Sequence, residues 1–443
     1  MSARLSDSHA GVTARRTALV VIAAVVTWQI LSINLSDFFV AQAREGAPER
    51  LQTALWWDQH HPAALAQSGA NAIRQEQPTA ALPLLRAAIA ANPADARPQM
   101  DVAALYLIDD NASDDPITDD QITDDRIVQG DRLATVANTL MPVQYAVQLD
   151  LAVYWSARDN IEQAVQHLAT ALVVNKRGLR ESYFPQLLGI AAQAQTRGAL
   201  LPITENPAIY PWWEAFFEYA ARNAQNVATV TALVDMREAS AQVPLSARER
   251  HLYIGRLRKD ELIAEAYLYW VNGLDKDDMQ YLGYVFDGGF ERDIVNKTGF
   301  EWRAFPPRNS GIRITSGDTY GTEGDTALRV SFSGKRIRFK HLSQNLYLSE
   351  GTYALSGRVR PDTLKARRGL QWRVDCNAGA SGLLGSSDTF AGTGDWREFA
   401  FDITVPADCV GQVLTLRSVG TRDVDHEIKG VLWVDALRIE RKR

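Results

Sequence analysis

The apolar positions of this chain follow three successive patterns. The first is one unbroken run, Ala18 to Ile33, reading ALVVIAAVVTWQILSI. From Pro62 to about Gln280, apolar residues recur every three or four positions in alanine- and leucine-rich segments, the period of helices that bury one face. Beyond Val285 the period drops to two, in short runs such as TALRVSF, GTYALSGRV, LQWRVDC, EFAFDITV, VLTLRSV and VLWVDALRI, separated by Gly-, Asp- and Pro-rich turns. The patterning predicts a multidomain chain with an N-terminal transmembrane helix, an all-α region and an all-β sandwich. A length of 443 residues agrees, because single cores stop growing near ~250–300 residues.

Arg4, Arg15 and Arg16 precede the apolar run, and Asn34, Ser36 and Asp37 follow it. The run is near the lower limit for crossing the hydrocarbon, and Phe38, Phe39 and Val40 extend it. This predicts a cytoplasmic tail over 1–17, a single-pass anchor over 18–40, and everything later on the outer side of a bacterial inner membrane, in the periplasm. Ala41-Gln42-Ala43 resembles a small-residue cleavage site, so a removable signal peptide is the alternative. The apolar stretch is long for a signal and ends about ten residues before that site, which favours the uncleaved anchor. Both readings export the soluble portion.

Charge narrows the function classes. The formal net charge of −6 comes without a basic stripe, which argues against nucleic acid as a partner. Cys376 and Cys409 are the only cysteines, with no CxxC pair and no histidine at zinc spacing. In an oxidising compartment they are expected to form one disulfide; two buried free thiols are the alternative. His60 and His61 stand at a helix start before Pro62 and lack a third ligand at metal spacing. Aspartate pairs at 109–110, 114–115, 119–120 and 124–125 have a period of five that fits neither helix nor strand. They predict a solvated acidic loop over 109–125, with weak divalent-cation binding as the alternative. No Walker loop, GxSxG elbow, HExxH or GxGxxG occurs, and Gly317 to Gly324 has the wrong spacing for the last. No catalytic role is therefore expected, although carboxylate pairs distant in the chain leave glycoside hydrolysis open.

The segment PAALAQSGANAIRQEQPTAALPLLRAAIAANP resembles the tetratricopeptide repeat (TPR). A frame starting at Pro62 puts Leu65, Gly69, Ala81, Leu85, Ala88 and Pro93 at signature places. A second frame from Ala96 supplies Val102, Ala103 and Tyr106, and a third from Gln144 supplies Ala152, Trp155, Ala164, Leu168 and Ala171. Small residues let the helices of a hairpin approach closely, and large apolar ones fill the space between hairpins. The resemblance implies a TPR-like α-helical domain over 44–280, its later helices capping the stack. Ser246 before Ala-Arg-Glu-Arg reads as an N-cap. Trp56, Trp57, Trp212, Trp213, Tyr267, Tyr269 and Trp270 read as helix-packing core or as a sugar-stacking groove.

In the last third, FDGGFE (Phe286 to Glu291), GFEW ending at Trp302, GDTALRVSF, EGTYALSGRV, GDWREFAFDITVP with Trp396, and VLWVDALRI with Asp435 follow in order. That order resembles the jelly-roll carbohydrate-binding modules of bacterial polysaccharide enzymes and implies such a domain over 285–443. Alternation puts Tyr353, Leu355 and Val359 of one strand inside, with Ser356, Arg358 and Arg360 outside. In the next strand Leu370, Trp372, Val374 and Cys376 face in, and Gln371, Arg373 and Asp375 face out. Ser356, Arg358, Gln371 and Arg373 are therefore the expected sugar-contacting side chains, with Trp302, Tyr347 or Tyr320 supplying a ring from loops. Neither outward set contains an aromatic residue, a departure from the usual module. The resemblance also implies a structural calcium, held by Glu291 and Asp435 with backbone carbonyls; capping or ion pairing is the other role for these acids.

An anchor, a repeat array and such a sandwich together resemble proteins encoded with exopolysaccharide and O-antigen assembly machinery. The implied function is a periplasmic scaffold that binds glycan and aids polysaccharide assembly or export, partnered by the polysaccharide or its assembly and export proteins. The alternatives are a glycan-processing lyase or hydrolase with an unrecognised site, and an envelope-assembly factor whose sandwich binds protein.

Overall fold

A computed structural model describes residues 4–108, 120–174, 180–239, 243–294 and 299–442. The chain divides into two compact units, Met1–Trp212 and Trp213–Arg443.

The first unit is helical. It comprises α1 (Arg4–Arg44), α2 (Arg50–Trp57), α3 (Pro62–Arg74), α4 (Pro78–Ala91), α5 (Ala96–Ile108), α6 (Asp120–Leu140), α7 (Tyr145–Ala157), α8 (Ile161–Val174), α9 (Arg180–Ala192) and the short α10 (Ala194–Arg197) and α11 (Leu201–Glu205). Among the described residues, α1 is the one helix long and apolar enough to cross a membrane. Its last third differs from a free anchor. Ser32, Ser36, Val40 and Ala43 recur at helical spacing and are buried. Val40 and Ala43 share a core with Leu51, Ala54 and Ala64 of α2 and α3. Ser36 Oγ donates to the Ala54 carbonyl at 3.0 Å, and Asp37 meets His61 at 3.0 Å. His61 Nδ1 accepts the Ala64 N–H, so this histidine caps α3.

Consecutive helices pack in pairs, α3 with α4, α5 with α6 and α7 with α8. A Cβ on Gly69 would come within 2.6 Å of the Leu85 side chain, so glycine is what lets α3 and α4 close on one another. Ala81, Leu85 and Ala88 are buried at that seam, as are Leu168 and Ala171 where α7 meets α8. Helices α5 and α6 pair across the acidic segment through Ala103, Ala134 and Ala137. Of the loop expected over 109–125, residues 120–125 are helical instead, because α6 begins at Asp120. Aspartates are favourable near the positive end of a helix, so the acidic run starts the helix as well as preceding it. Residues 109–119 lie outside the described residues.

The second unit opens with α12 (Trp213–Asn223), α13 (Val227–Ala239), α14 (Ala247–Lys259), α15 (Ile263–Asn272) and α16 (Lys276–Met279). Ser246 caps α14 in a full capping box with Glu249. The Glu249 carboxylate also accepts from Trp213 Nε1 at 2.7 Å and from buried Arg237 at 3.0 Å. Trp213 and, in the first unit, Trp212 are thus core residues.

Ten strands are described after these helices: β1 (Arg303–Ala304), β2 (Ile312–Gly317), β3 (Ala327–Arg336), β4 (Leu342–Leu346), β5 (Gly351–Ala366), β6 (Leu370–Gly379), β7 (Gly382–Ser386), β8 (Arg397–Val405), β9 (Cys409–Ser418) and β10 (Glu427–Arg441). They form a jelly-roll sandwich of two antiparallel sheets, β1-β4-β9-β6-β7 and β2-β3-β10-β5-β8. The inward parity is as the alternation predicts, with Tyr353, Leu355, Val359, Leu370, Trp372, Val374 and Cys376 all in one core. A disulfide joins Cys376 on β6 to Cys409 on β9, 5.8 Å apart between Cα atoms.

Helices belong to this unit because they pack on the sandwich. Trp270 Nε1 donates to Glu301 at 2.8 Å, and the Tyr267 ring lies 5.1 Å from Phe300 and 5.3 Å from Tyr347. Arg258 donates to Asn345 at 2.7 Å. The change of composition at Val285 precedes the first described strand, which starts at Arg303; the compact unit starts earlier still, at Trp213.

Candidate functional site

Strand pairing decides which expected residues can act together. Ser356 of β5 lies between Ala400 of β8 and Arg438 of β10, and Arg358 lies between Glu398 and Asp435. Gln371 and Arg373 of β6 pair instead with Arg417 and Thr415 of β9. The four expected sugar contacts are therefore split between opposite sheets. The chain crosses from one sheet to the other between β5 and β6, so neighbours in sequence are not neighbours in the sheet. Arg373 is engaged by Asp375, which takes its Nε at 2.6 and 2.8 Å.

The expected loop rings divide as well. Trp302 is only 3% exposed; its ring lies 4.9 Å from Phe290 and 5.8 Å from Trp372, and its Nε1 donates to the Asp287 carbonyl. It is core. Tyr347 packs against Tyr267 of α15. Tyr320 is 61% exposed and stands beside β5.

What the fold gathers is the outer face of the β2-β3-β10-β5-β8 sheet. Ser356, Arg358, Glu398, Glu323 and Arg438 line a depression of about 310 Å³. Glu323 accepts from Arg438 at 2.6 Å and lies 3.8 Å from Arg358. Arg358 also borders a cluster of rings, its guanidinium 5.3 Å from the Trp396 centroid. Arg360 lies 4.4 Å from Tyr320, 5.7 Å from Trp396 and 5.4 Å from Trp433. Trp396 Nε1 donates to the Tyr320 carbonyl at 2.6 Å, fixing ring against loop. Cation–π contacts of this kind contribute about 0.5–2 kcal/mol each and orient the rings.

The outward faces are therefore not bare of aromatics. Trp433 was legible: it stands between inward Leu432 and Val434 and so has outward parity. Trp396 lies just before β8, where alternation had not begun.

Glu291 and Asp435 converge on one loop. Asp435, fully buried, accepts the Glu323 and Ala436 N–H groups at 2.7 Å each, and burial raises its carboxyl above the usual carboxylate range. Glu291 accepts the N–H groups of Asp325 and Thr326 at 3.1–3.2 Å. These N–H hydrogens point at the oxygens a cation would need. Among the described residues no group of three or more His, Cys, Asp or Glu side chains is placed to hold a metal. As arranged, the pair fits a clasp on loop 323–326 and fits calcium poorly.

No protein-family model matches the sequence, and no curated protein matches it. Among solved structures, the chain is similar to a family 4 carbohydrate-binding module at 19% identity, over 36% of this chain and 99% of that one, with a TM-score of 0.27. It is also similar to the CBM22-1 xylan-binding domain of Paenibacillus barcinonensis Xyn10C at 15% identity, over 35% and 91%, with a TM-score of 0.25. A third is TmCBM61 in complex with β-1,4-galactotriose, at 15% identity over 36% and 99%, with a TM-score of 0.25. At these scores the likeness assigns no function to this chain.

Proposed function

We propose that this chain is a non-catalytic glycan-binding scaffold, held at the bacterial inner membrane by α1, with its bulk in the periplasm. The observation that carries the reading is a depression lined by Ser356, Arg358, Glu398 and Glu323, whose Arg358 borders Trp396, the ring that in turn holds the loop of exposed Tyr320. A sugar presents apolar C–H faces that stack on rings, and hydroxyls that both donate and accept. The depression offers donors and acceptors together. Arg358 and Arg438 share Glu323, so the site favours neutral or singly acidic sugars over polyanions.

The membrane half rests on the arginines ahead of the apolar run, the disulfide and the packing of α1. Cleavage after Ala43 would strip buried Ser36, Val40 and Ala43 from α2 and α3, which supports the uncleaved anchor over a signal peptide. The paired helices of the first unit supply protein-binding surface for polysaccharide assembly or export partners.

The test is calorimetry and product analysis of the full chain in nanodiscs against the host exopolysaccharide. Saturable binding with undegraded polymer is expected. A folded protein that binds no glycan would move the reading to protein recognition, and release of shorter sugars would move it to an enzyme.

A further inference from the structure

Helix α1 enters the folded unit without a break, and its free portion is short. Residues from Arg15 through Leu31 are exposed, and burial begins at Ser32. Thr17 to Leu31 therefore covers about 22 Å at 1.5 Å per residue. The hydrocarbon core of a bilayer is ~30 Å thick. For α1 to span it, the hydrocarbon must rise past Ser32, to the place where α2 lies against α1.

The side chains at that place suit lipid. Trp57, at the end of α2, lies 5.9 Å from Trp28 of α1, and Trp56 lies 4.9 Å from Trp57. Trp56 is 71% exposed and Trp28 is 59% exposed. Helix α2 turns Leu51 and Ala54 inward, which leaves Trp56 directed away from the protein. It carries no charged residue after Arg50. The hydrogen-bonded pair Asp37–His61 sits farther along α1, about 30 Å from Thr17 by helical rise, where the hydrocarbon ends. Indole rings favour that boundary, with an apolar body toward the acyl chains and a wet N–H.

We infer that Trp56 and Trp57 embed in the outer leaflet toward its acyl–headgroup boundary, above Trp28, making α2 a membrane-contact element. Trp28 lies about 16 Å from Thr17 by helical rise and so deeper among the acyl chains. The inference rests on the proposal that α1 spans the membrane. The ligand is the lipid of the outer leaflet, and Trp56 and Trp57 of α2 supply the apolar surface over the length that the free part of α1 lacks.

The full chain would be placed in phosphatidylcholine/phosphatidylglycerol vesicles whose acyl chains are brominated either near the carboxyl end or near the methyl end. Tryptophan emission is compared with that of Trp56→Phe and Trp28→Phe variants. The exposure of both positions makes these changes mild. The emission lost in Trp56→Phe is expected to be a blue-shifted component, quenched more strongly by bromine near the carboxyl end and protected from acrylamide. An unquenched, acrylamide-accessible component would overturn the inference. So would one shielded from both bromine and acrylamide, which would mean that another protein surface covers Trp56. The Trp28 component separates the two ideas. Quenching of Trp28 without Trp56 leaves the span standing and sinks the contact; quenching of neither sinks both.

Discussion

The guanidinium of Arg360 lies 4.4 Å from the Tyr320 ring centroid and donates to Thr319 Oγ1 at 2.5 Å, so a cation only 8% exposed supports a ring that is 61% exposed. Tyr320→Ala should therefore weaken glycan binding while leaving the melting temperature nearly unchanged. Arg358→Ala should cost a charge-assisted hydrogen bond, about 1.5–3 kcal/mol or roughly ten- to a hundredfold in affinity. Arg373→Ala, on the opposite sheet, should leave affinity untouched. Calorimetry on the three variants checks this, and a loss in Arg373→Ala equal to that in Arg358→Ala would place the site elsewhere.

At the α3–α4 seam, Gly69→Val should destabilise the helical unit by about 1–3 kcal/mol, because buried Leu85 has nowhere to retreat. Gly189→Ala in α9, with open space around its Cα, should instead stabilise by about 0.5–1 kcal/mol through helix propensity. Denaturant melts of both variants give the contrast. Equal effects of one sign would mean that close packing is not why glycine stands at 69.

Truncation tests where the second unit begins. A fragment from Trp213 should melt cooperatively. One from residue 281 should melt lower and bind hydrophobic dye, because removing α15 uncovers Phe300 and Tyr347. Identical melts would show that the helices contribute nothing to the sandwich.

The clasp predicts how loop 323–326 responds to mutation and to metal. Glu291→Ala leaves the Asp325 and Thr326 N–H groups without their acceptor, and about 1–3 kcal/mol should be lost. A chelator should not move the melting temperature of the unmodified chain. A fall on chelation, reversed by calcium, would restore the cation reading.

Asp101 of α5 gives a pH signature. Burial, and secondarily Asp150, raises its carboxyl to about 6. Because the folded value lies above the unfolded one, its stabilising contribution is full below about pH 4 and is lost as pH rises through about 6. Asp101→Asn should match the parent near pH 4 and be the more stable near pH 7.5. A variant less stable than the parent near pH 7.5 would show instead that the carboxylate is needed ionised.

Much of this was legible in periodicity. Alternation around Tyr353 and Trp372 assigned the sandwich core, and Gly69 against Ala81 and Leu85 announced a close helix pair. What escaped were relations that alternation does not encode. Parity says which side of its own sheet Arg373 faces; it does not say that β6 belongs to the other sheet. Trp302 looked like a loop ring because its partners, Phe290 and Trp372, are distant in sequence. Tyr320, Trp396 and Trp433 meet only because a cation held on β5 draws two loops and a strand together.

The unbroken course of α1 has a mechanical consequence. With Ser36 bonded to Ala54 and Val40 wedged among Leu51 and Ala64, no swivel separates the apolar segment from the folded helices after it. A tilt or rotation of that segment is delivered to the first helical pair as torque, as through a shaft keyed into its housing.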